Sequence, residues 1–406
     1  MSAVRPFRRE DIPAVAQLWL RAFRRRDSRA SARLQHYFEE IFFCSPWSDL
    51  ELPSLVYEEA GLGIAGFLGV IPRRMTFKGR LLRVAAASQL MVDERARAYP
   101  GVKLIRAFFA GPQDLAFSDG ANDFAERLWR NCGGVVAQLY SLKWTRILRP
   151  AQYARVRFRQ RASWGYSYLA EMFGPVCDAL DAVAAWTGPG ARRMPRGADS
   201  LIDDEPSDAT LLSCVQTLSG GRSLTPAYEI DSFRWFLERA GRKLIHGRFR
   251  KAVVKAPSGE PAGWYLYYVK PGDVAQVLQF GARPGAVGQV LECLFHQALK
   301  QGAVAVSGQL EPRFTQALSA GRCDFDWAGL AVCVQSRNRE LLNAIHEGDA
   351  FLSRLEGEWW ARFSDPQWSQ DEPSAGREPQ PRPRAGEPAV LSAASEPFTT
   401  IIRKGE

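Results

Sequence analysis

Leu115-Ala116-Phe117-Ser118-Asp119-Gly120-Ala121-Asn122, followed by Asp123-Phe124-Ala125-Glu126-Arg127-Leu128-Trp129-Arg130-Asn131-Cys132-Gly133-Gly134, carries the clearest structural signal in the chain. Leu115, Ala116 and Phe117 make a short apolar strand. Asn122 stands at a turn. Ala125, Leu128 and Trp129 then recur at helical spacing and give one apolar face. Gly133 and Gly134 supply a left-handed stop. The run is strand, turn, amphipathic helix and glycine stop.

The flanking chain extends this pattern upstream. Residues 4–7 read as a strand, and Asp11 is the N-cap candidate of a helix whose Val15, Leu18, Trp19, Ala22 and Phe23 share a face. Strands follow at 55–57 and 64–72, then a hairpin arm at 75–82 around Lys78-Gly79, then a long strand at 84–92. A helix over 101–109 ends at Gly111-Pro112, and the β-prone run 134–144 closes the unit. This order predicts a mixed α/β fold.

From 150 to 206 the pattern changes to an apolar, helix-like connection at 166–186 and a Gly/Pro/Arg loop at 187–197. The first order then returns in degraded form. Helices read at 208–218 and 232–240, and strands at 244–255, 263–269 and 275–282. The helix at 286–301 turns Val287, Val290, Leu291, Leu294 and Leu299 inward. A strand at 303–306, a helix at 314–320 and a strand at 330–334 complete the unit. The aromatic pair Trp359-Trp360 is expected to pack on this second unit. Residues 365–394, rich in Pro, Glu, Ser and Arg, are expected to be disordered. The division is therefore 1–150, a connection 151–206, a second unit 207–363, and a tail 364–406.

Composition narrows the function classes. A chain of 406 residues with 46% hydrophobic content and 12 Trp has material for two cores. No run of about 18 apolar residues appears, so no membrane span is expected. The charged start Arg5-Pro6-Phe7-Arg8-Arg9 lacks the apolar segment of a signal peptide. The seven Cys form no Cys-x-x-Cys pair and the four His no His-x-x-x-His, so neither a disulfide framework nor a metal is expected. Free thiols suit the cytoplasm. Net charge is +9. The densest basic cluster, Arg21, Arg24, Arg25, Arg26, Arg29 and Arg33, lacks the interleaved aromatics of a base-stacking platform. The bland reading of the charge is a solvated surface; an anionic substrate or coenzyme is the sharper one.

The spacing of Asn122, Ala125, Leu128, Trp129 and Gly133 resembles the last conserved block of the GNAT acyl-CoA N-acyltransferases. The resemblance implies two GNAT-like units in tandem. It also implies transfer of an acyl group, acetyl first, from acetyl-CoA to the primary amine of a small molecule or amino sugar. In that family the backbone of the fourth strand receives the pantetheine arm, which points to Leu90, Met91 and Val92. The diphosphate sits at the following turn, where the pattern is Arg or Gln, two residues, Gly, one residue, Gly or Ala. Counted from Val92, Arg97 takes the basic position and Pro100 and Val102 replace both glycines; a shifted register makes Gly101 the surviving one. Lys103 follows in the same helix start.

The resemblance carries Asn122 and Trp129 over as coenzyme-contacting positions. Asn122 serves equally as a helix N-cap. The family's aromatic is a Tyr that protonates the departing thiolate. Trp129 has no such proton to give. Candidate acid–base groups are Asp119, which reads first as a turn residue before Gly120, Glu58, beside Glu59, and Tyr140 on the last strand of the first unit. In the second unit Arg283, Gly285 and Gly288 make a comparable strand-to-helix loop. Two other readings stay open: a non-catalytic acyl-CoA sensor or interaction protein, and an aminoacyl transferase using charged tRNA. The acceptor amine and the oligomeric state are not legible.

Overall fold

The computed structural model describes residues 2–24, 29–97, 99–161, 176–181 and 202–363. Most of the expected connecting helix, the loop at 187–197 and the tail from 364 lie outside the described residues. The chain begins with β1 (Ser2–Pro6), α1 (Ile12–Arg24), α2 (Ala32–Phe43), β2 (Leu55–Glu59), β3 (Gly63–Phe77) and β4 (Arg80–Val92). Then come α3 (Pro100–Phe109), β5 (Leu115–Ala121), α4 (Asp123–Asn131), β6 (Val135–Val136), β7 (Leu142–Ile147) and α5 (Pro150–Arg161). The second half holds β8 (Ile202–Asp204), α6 (Asp208–Leu218), β9 (Leu224–Pro226), α7 (Ile230–Gly241), β10 (Arg248–Lys255), β11 (Pro261–Val269) and β12 (Val274–Ala282). It ends with α8 (Val287–Lys300), β13 (Ala305–Gln309), α9 (Thr315–Ala320), β14 (Asp324–Trp327), β15 (Ala331–Gln335) and α10 (Arg339–His346).

Local chemistry explains several of these boundaries. The β3–β4 hairpin turns at Lys78 and Gly79, both with positive φ, as a tight two-residue connection requires. Asn122 caps α4, its side chain accepting from the Ala125 N–H at 2.9 Å. The helix stops where Gly133 turns left-handed and the Gly134 N–H reaches back to Trp129 O at 2.8 Å. Ser31 caps α2 by accepting from Leu34 N–H. Of the Arg-rich cluster, Arg21 and Arg24 lie in the last turn of α1 and Arg33 in the first turn of α2.

Two mixed sheets result, and their strand orders match position by position. The first runs β1-β2-β3-β4-β5-β15-β6, with β9 added on β3; the second runs β8-β10-β11-β12-β13-β7-β14. In each, one parallel pair (β4–β5, β12–β13) interrupts an otherwise antiparallel sheet. The sixth strand of each sheet comes from the opposite half of the chain. β7 inserts between β13 and β14, and β15 inserts between β5 and β6.

This corrects two expectations. The run 134–144 does not close the first sheet as one strand: Val135–Val136 stays, and the next strand leaves for the second sheet. The strand expected at 330–334 belongs to the first sheet, not the second. The division at 150 is therefore bridged by exchanged strands.

Helices cover both faces of the first sheet. α3 and α4 pack Leu104, Ile105, Phe108, Leu128 and Trp129 against Tyr57, Leu68 and Ala85. On the other face α1 and α2 pack Val15, Leu18, Trp19 and Phe38 against Val56, Phe67 and Met91. Further along that sheet, Met75, Val84 and Phe117 share a core with Leu211, Phe233 and Phe236 of α6 and α7 and with Trp264 and Leu266 of the second sheet. One hydrophobic core thus joins the two halves.

Candidate functional site

The parallel pairing of β4 with β5 lasts only from Val84–Leu115 to Ala86–Phe117. β4 then runs on to Val92 and β5 to Ala121 without pairing with each other. Each strand is still held on its outer side, β4 by β3 and β5 by β15. The cause is a bulge. Gly69 faces Ser88 and Phe67 faces Met91, so Gln89 and Leu90 share one opposing residue. Gln89 carries the extra length in a left-handed conformation, φ 52°.

The splay opens a cleft of about 390 Å3. Ala87, Ser88, Gln89 and Leu90 form one edge, and Ser118, Gly120, Ala121 and Asn122 the other. Trp19, Phe23, Arg24 and Phe363 wall it on the α1 side; Phe124, Ala125 and Trp129 wall it on the α4 side. The cleft therefore passes through the sheet.

A strap formed by residues 350–363 closes one end. It is held from both halves of the molecule. Buried Arg73 of β3 donates to the carbonyls of Leu355, Glu356 and Gly357 at 2.9–3.3 Å. Glu356 is buried and bonded to Ser353, Gln279 and Tyr228. Burial raises the Glu356 carboxyl above its usual range. Lys243 donates to Trp359 O, and burial lowers its pKa to about 7.

The strap brings Glu358 and Arg362 into the cleft. Glu358 Oε1 pairs with Arg362 at 2.9 Å, and its Oε2 accepts the Gln89 backbone N–H at 3.1 Å. The contact is close-fitted. A Cβ on Gly120 would collide with both Glu358 and Arg362, and one on Gly357 would collide with the Asp119 carboxylate.

Of the acid–base candidates, Asp119 lies next to this group but is engaged. It is part of β5 rather than a turn, and it accepts from the N–H groups of Glu358 at 2.7 Å and Trp359 at 3.4 Å. Burial, then the Glu358 charge, raises its pKa to about 6. Glu58 is exposed on β2, paired with Arg5 at 2.9 Å, and does not line the cleft. Tyr140 sits in a 3-10 turn, not on a strand. Its hydroxyl donates to Ala350 O at 2.6 Å and accepts from Ala350 N–H at 3.1 Å, and burial raises its pKa.

Among the coenzyme candidates, Leu90, Asn122 and Trp129 line the cleft. Trp129 is buried and packs edge-on against Phe108 and Phe109. Met91 faces the α1 core. Val92, Arg97, Gly101, Val102 and Lys103 lie beyond the cleft, at the β4–α3 turn and first helical turn. Arg97 is exposed. Gly101 has a packing reason: a Cβ there would press on Leu128 of α4 at 3.0 Å. Asp93 organises the turn, bonded by Arg95 and Arg21, and Arg95 first of all holds its carboxyl far below the usual range. Lys103 Nζ lies 5.4 Å from the centre of the Tyr57 ring.

The second half repeats the geometry with a different outcome. β12 pairs with β13 only from Val274–Ala305 to Gln276–Ser307, and a bulge at Leu278 follows. The space beyond is about 20 Å3, lined by Leu278, Gln279, Leu310 and the strap's Leu352 and Ser353. Arg354 donates to Gln276 Oε1 and Val277 O there. The loop at Arg283–Gly288 is bonded internally, Ala286 N–H to Arg283 O, and lines neither cleft. Among the described residues no His/Cys/Asp/Glu cluster could hold a metal, and no helix is long and apolar enough to cross a membrane.

Glu358 and Arg362 were missed by sequence reasoning, which marked that region only for its aromatic pair. The available signal was the acid–glycine pairs Asp119-Gly120 and Glu356-Gly357-Glu358.

A splayed parallel pair beside a strand bulge, repeated in tandem, defines a recognisable architecture. The chain superposes on a conserved protein of unknown function from Enterococcus faecalis V583, described as a probable N-acyltransferase. The TM-score is 0.53 at 12% identity, over 83% of this chain and 72% of that one. A GCN5-related N-acetyltransferase from Anabaena variabilis ATCC 29413 matches at TM-score 0.51 and 11% identity, over 84% and 74%. No family model and no curated protein matches the sequence. The likeness is one of fold: the chain has a tandem GNAT-like α/β architecture.

Proposed function

We propose that the chain transfers an acyl group, acetyl first, from acyl-coenzyme A to a primary amine of a small molecule or amino sugar. The observation that carries this reading is the through-sheet cleft between β4 and β5. Splayed strand edges offer the backbone groups that an amide-bearing pantetheine arm pairs with, as a peptide adds to a sheet. The β4–α3 turn with Arg97, at a helix N-terminus, is the corresponding place for the diphosphate. Pro100 removes one donor there. Asn122 and Trp129 would border the arm. The α1 side, with Trp19, Phe23 and Arg24, is then open to the acceptor. The second half has only about 20 Å3 at the equivalent point, which supports one reacting cleft per chain.

A second reading is kept because of Trp129. It fills the position where an acid is expected and carries no transferable proton, which favours an acyl-coenzyme A sensor. Titration calorimetry with acetyl-coenzyme A, coupled to release of free thiol over a panel of primary amines, separates the two. Amine-dependent thiol release supports transfer. Binding without release supports the sensor, and absence of binding removes both.

A further inference from the structure

We propose that Glu358 is the general base of the transfer, held in reserve on the Gln89 N–H until a thioester takes that donor over. The inference rests on the acyl-transfer reading above. Its starting point is a conflict over one hydrogen bond. Gln89 lies at the bulge of β4, where β5 has already diverged, so its N–H has no partner strand on the cleft side. A fixed backbone N–H inside a cleft is the donor that a developing oxyanion needs. In this structure Glu358 Oε2 occupies it at 3.1 Å.

One N–H cannot serve the carboxylate and a thioester carbonyl together. When the carbonyl oxygen takes it, Oε2 loses its partner, while Oε1 keeps Arg362 at 2.9 Å. A buried carboxylate oxygen without a partner is costly. The ammonium group of an incoming amine is the partner that restores the balance. Binding of the first substrate thus prepares the site for the second.

The position of Glu358 is fixed by two close approaches that only glycine permits, at Gly120 and Gly357. The neighbouring charged and titratable groups come from every packed element: Asp119 on β5, Tyr37 on α2, Arg24 on α1, Lys243 after α7, and Arg362 on the strap. Asp119 is bonded to the strap's own N–H groups and acts as a positioning residue.

Oε2 takes one proton from the ammonium nitrogen, and the freed lone pair forms the C–N bond to the thioester carbon. The carbonyl electrons move onto the oxygen facing Gln89 N–H. They return as the C–S bond breaks and sulfur leaves as thiolate. Water carries the remaining excess nitrogen proton to the thiolate, and Glu358 returns its proton to solvent.

Glu358→Gln in the full chain is the test. The amide can still accept from Gln89 N–H but cannot take a proton. Amine-dependent kcat/KM should fall roughly 100- to 10,000-fold. Acetyl-coenzyme A affinity by calorimetry should stay within about threefold. The acidic limb of the kcat/KM profile should move to the acceptor amine's own ionisation. A variant acylating amines at the wild-type rate and pH profile overturns the base while leaving acyl transfer standing. A wild-type chain that binds the thioester and acylates no amine overturns both.

If the variant does not fold, the wild-type chain still decides the matter. Infrared spectra of acetyl-coenzyme A carrying a 13C carbonyl should show the C=O stretch lowered on binding, as the Gln89 N–H changes partner. An unshifted band means that Glu358 never releases that N–H, and the proposal fails.

Discussion

Arg73→Met should loosen the strap while leaving the two sheets intact. Arg73 is 3% exposed, and its guanidinium reaches three consecutive carbonyls of residues 355–357. It also covers the Phe236 ring at 4.1 Å. Met keeps an apolar stem of similar length and removes every donor. Three buried carbonyls left without partners cost about 2 kcal/mol each, roughly 6 in total. Part of that is returned. Burial lowers the pKa of Arg73 to about 10, so keeping its charge there costs the native state roughly 3 kcal/mol. The net loss is roughly 3 kcal/mol, or about 100-fold in the opening of the strap.

Amide hydrogen exchange reads this directly, because the Glu358 and Trp359 N–H groups both bond Asp119. Their exchange should accelerate about 100-fold, while amides in the β3–β4 ladder change little. Arg74→Met is the control: its pair with Glu229 is exposed, and about 0–1 kcal/mol is expected. Protection within about threefold of wild type, or an equal effect from the control, would show that Arg73 does not hold the strap. The buried side chains of Phe351, Leu355 and Trp360 would then hold the strap unaided.

Three further outcomes are expected. Arg97→Glu should weaken acetyl-coenzyme A binding roughly 3- to 30-fold, since a carboxylate would face the diphosphate at the start of α3, and Arg283→Glu should not; calorimetry showing the reverse places the diphosphate in the second half. Asp119 has a native pKa of about 6, above its unfolded value near 4, so its contribution to stability is present below about pH 4 and is lost as pH rises through 6. Strap protection should therefore fall by roughly 2 kcal/mol between those values, and Asp119→Asn should flatten the difference; parallel curves for the two chains remove Asp119 as the cause. Trp129→Tyr and Trp129→Phe should both fold, because the site is bounded by Phe108 and Phe109, and Tyr alone should speed thiol release where thiolate protonation limits turnover; equal rates exclude that limitation.

Local elements were legible because their signals are local. The Asn122 cap, the Gly133-Gly134 stop and the Lys78-Gly79 turn each follow from a few adjacent residues. Strand partners were not. The β-prone character of residues 142–147 and 331–335 is plain in the sequence, but nothing in either segment says that it crosses to the other sheet. That choice depends on which edge is vacant once β5 and β13 are in place, a property of the assembled topology. The same holds for Gln89. Its left-handed backbone lies in an alanine-rich strand, and a glycine that would have marked it is absent.

The site was half legible for a related reason. Leu90, Asn122 and Trp129 lie on the elements that form the cleft, so a motif for those elements reaches them. Glu358 reaches the cleft from 239 residues beyond Asp119, on a strap without regular strand structure. Tyr140, by contrast, was a candidate for its place in a β-prone run, and Ala350 of that same strap engages its hydroxyl on both sides. The strap also explains why two halves with the same strand order differ. Each has a bulge and a short parallel pairing, so each would splay. In the second half Leu352, Ser353 and Arg354 enter the opening and leave about 20 Å3; in the first the strap lines the cleft with Glu358, Arg362 and Phe363 and leaves about 390 Å3. The course of residues 350–363, more than any difference between the two sheets, sets which half keeps an open cleft.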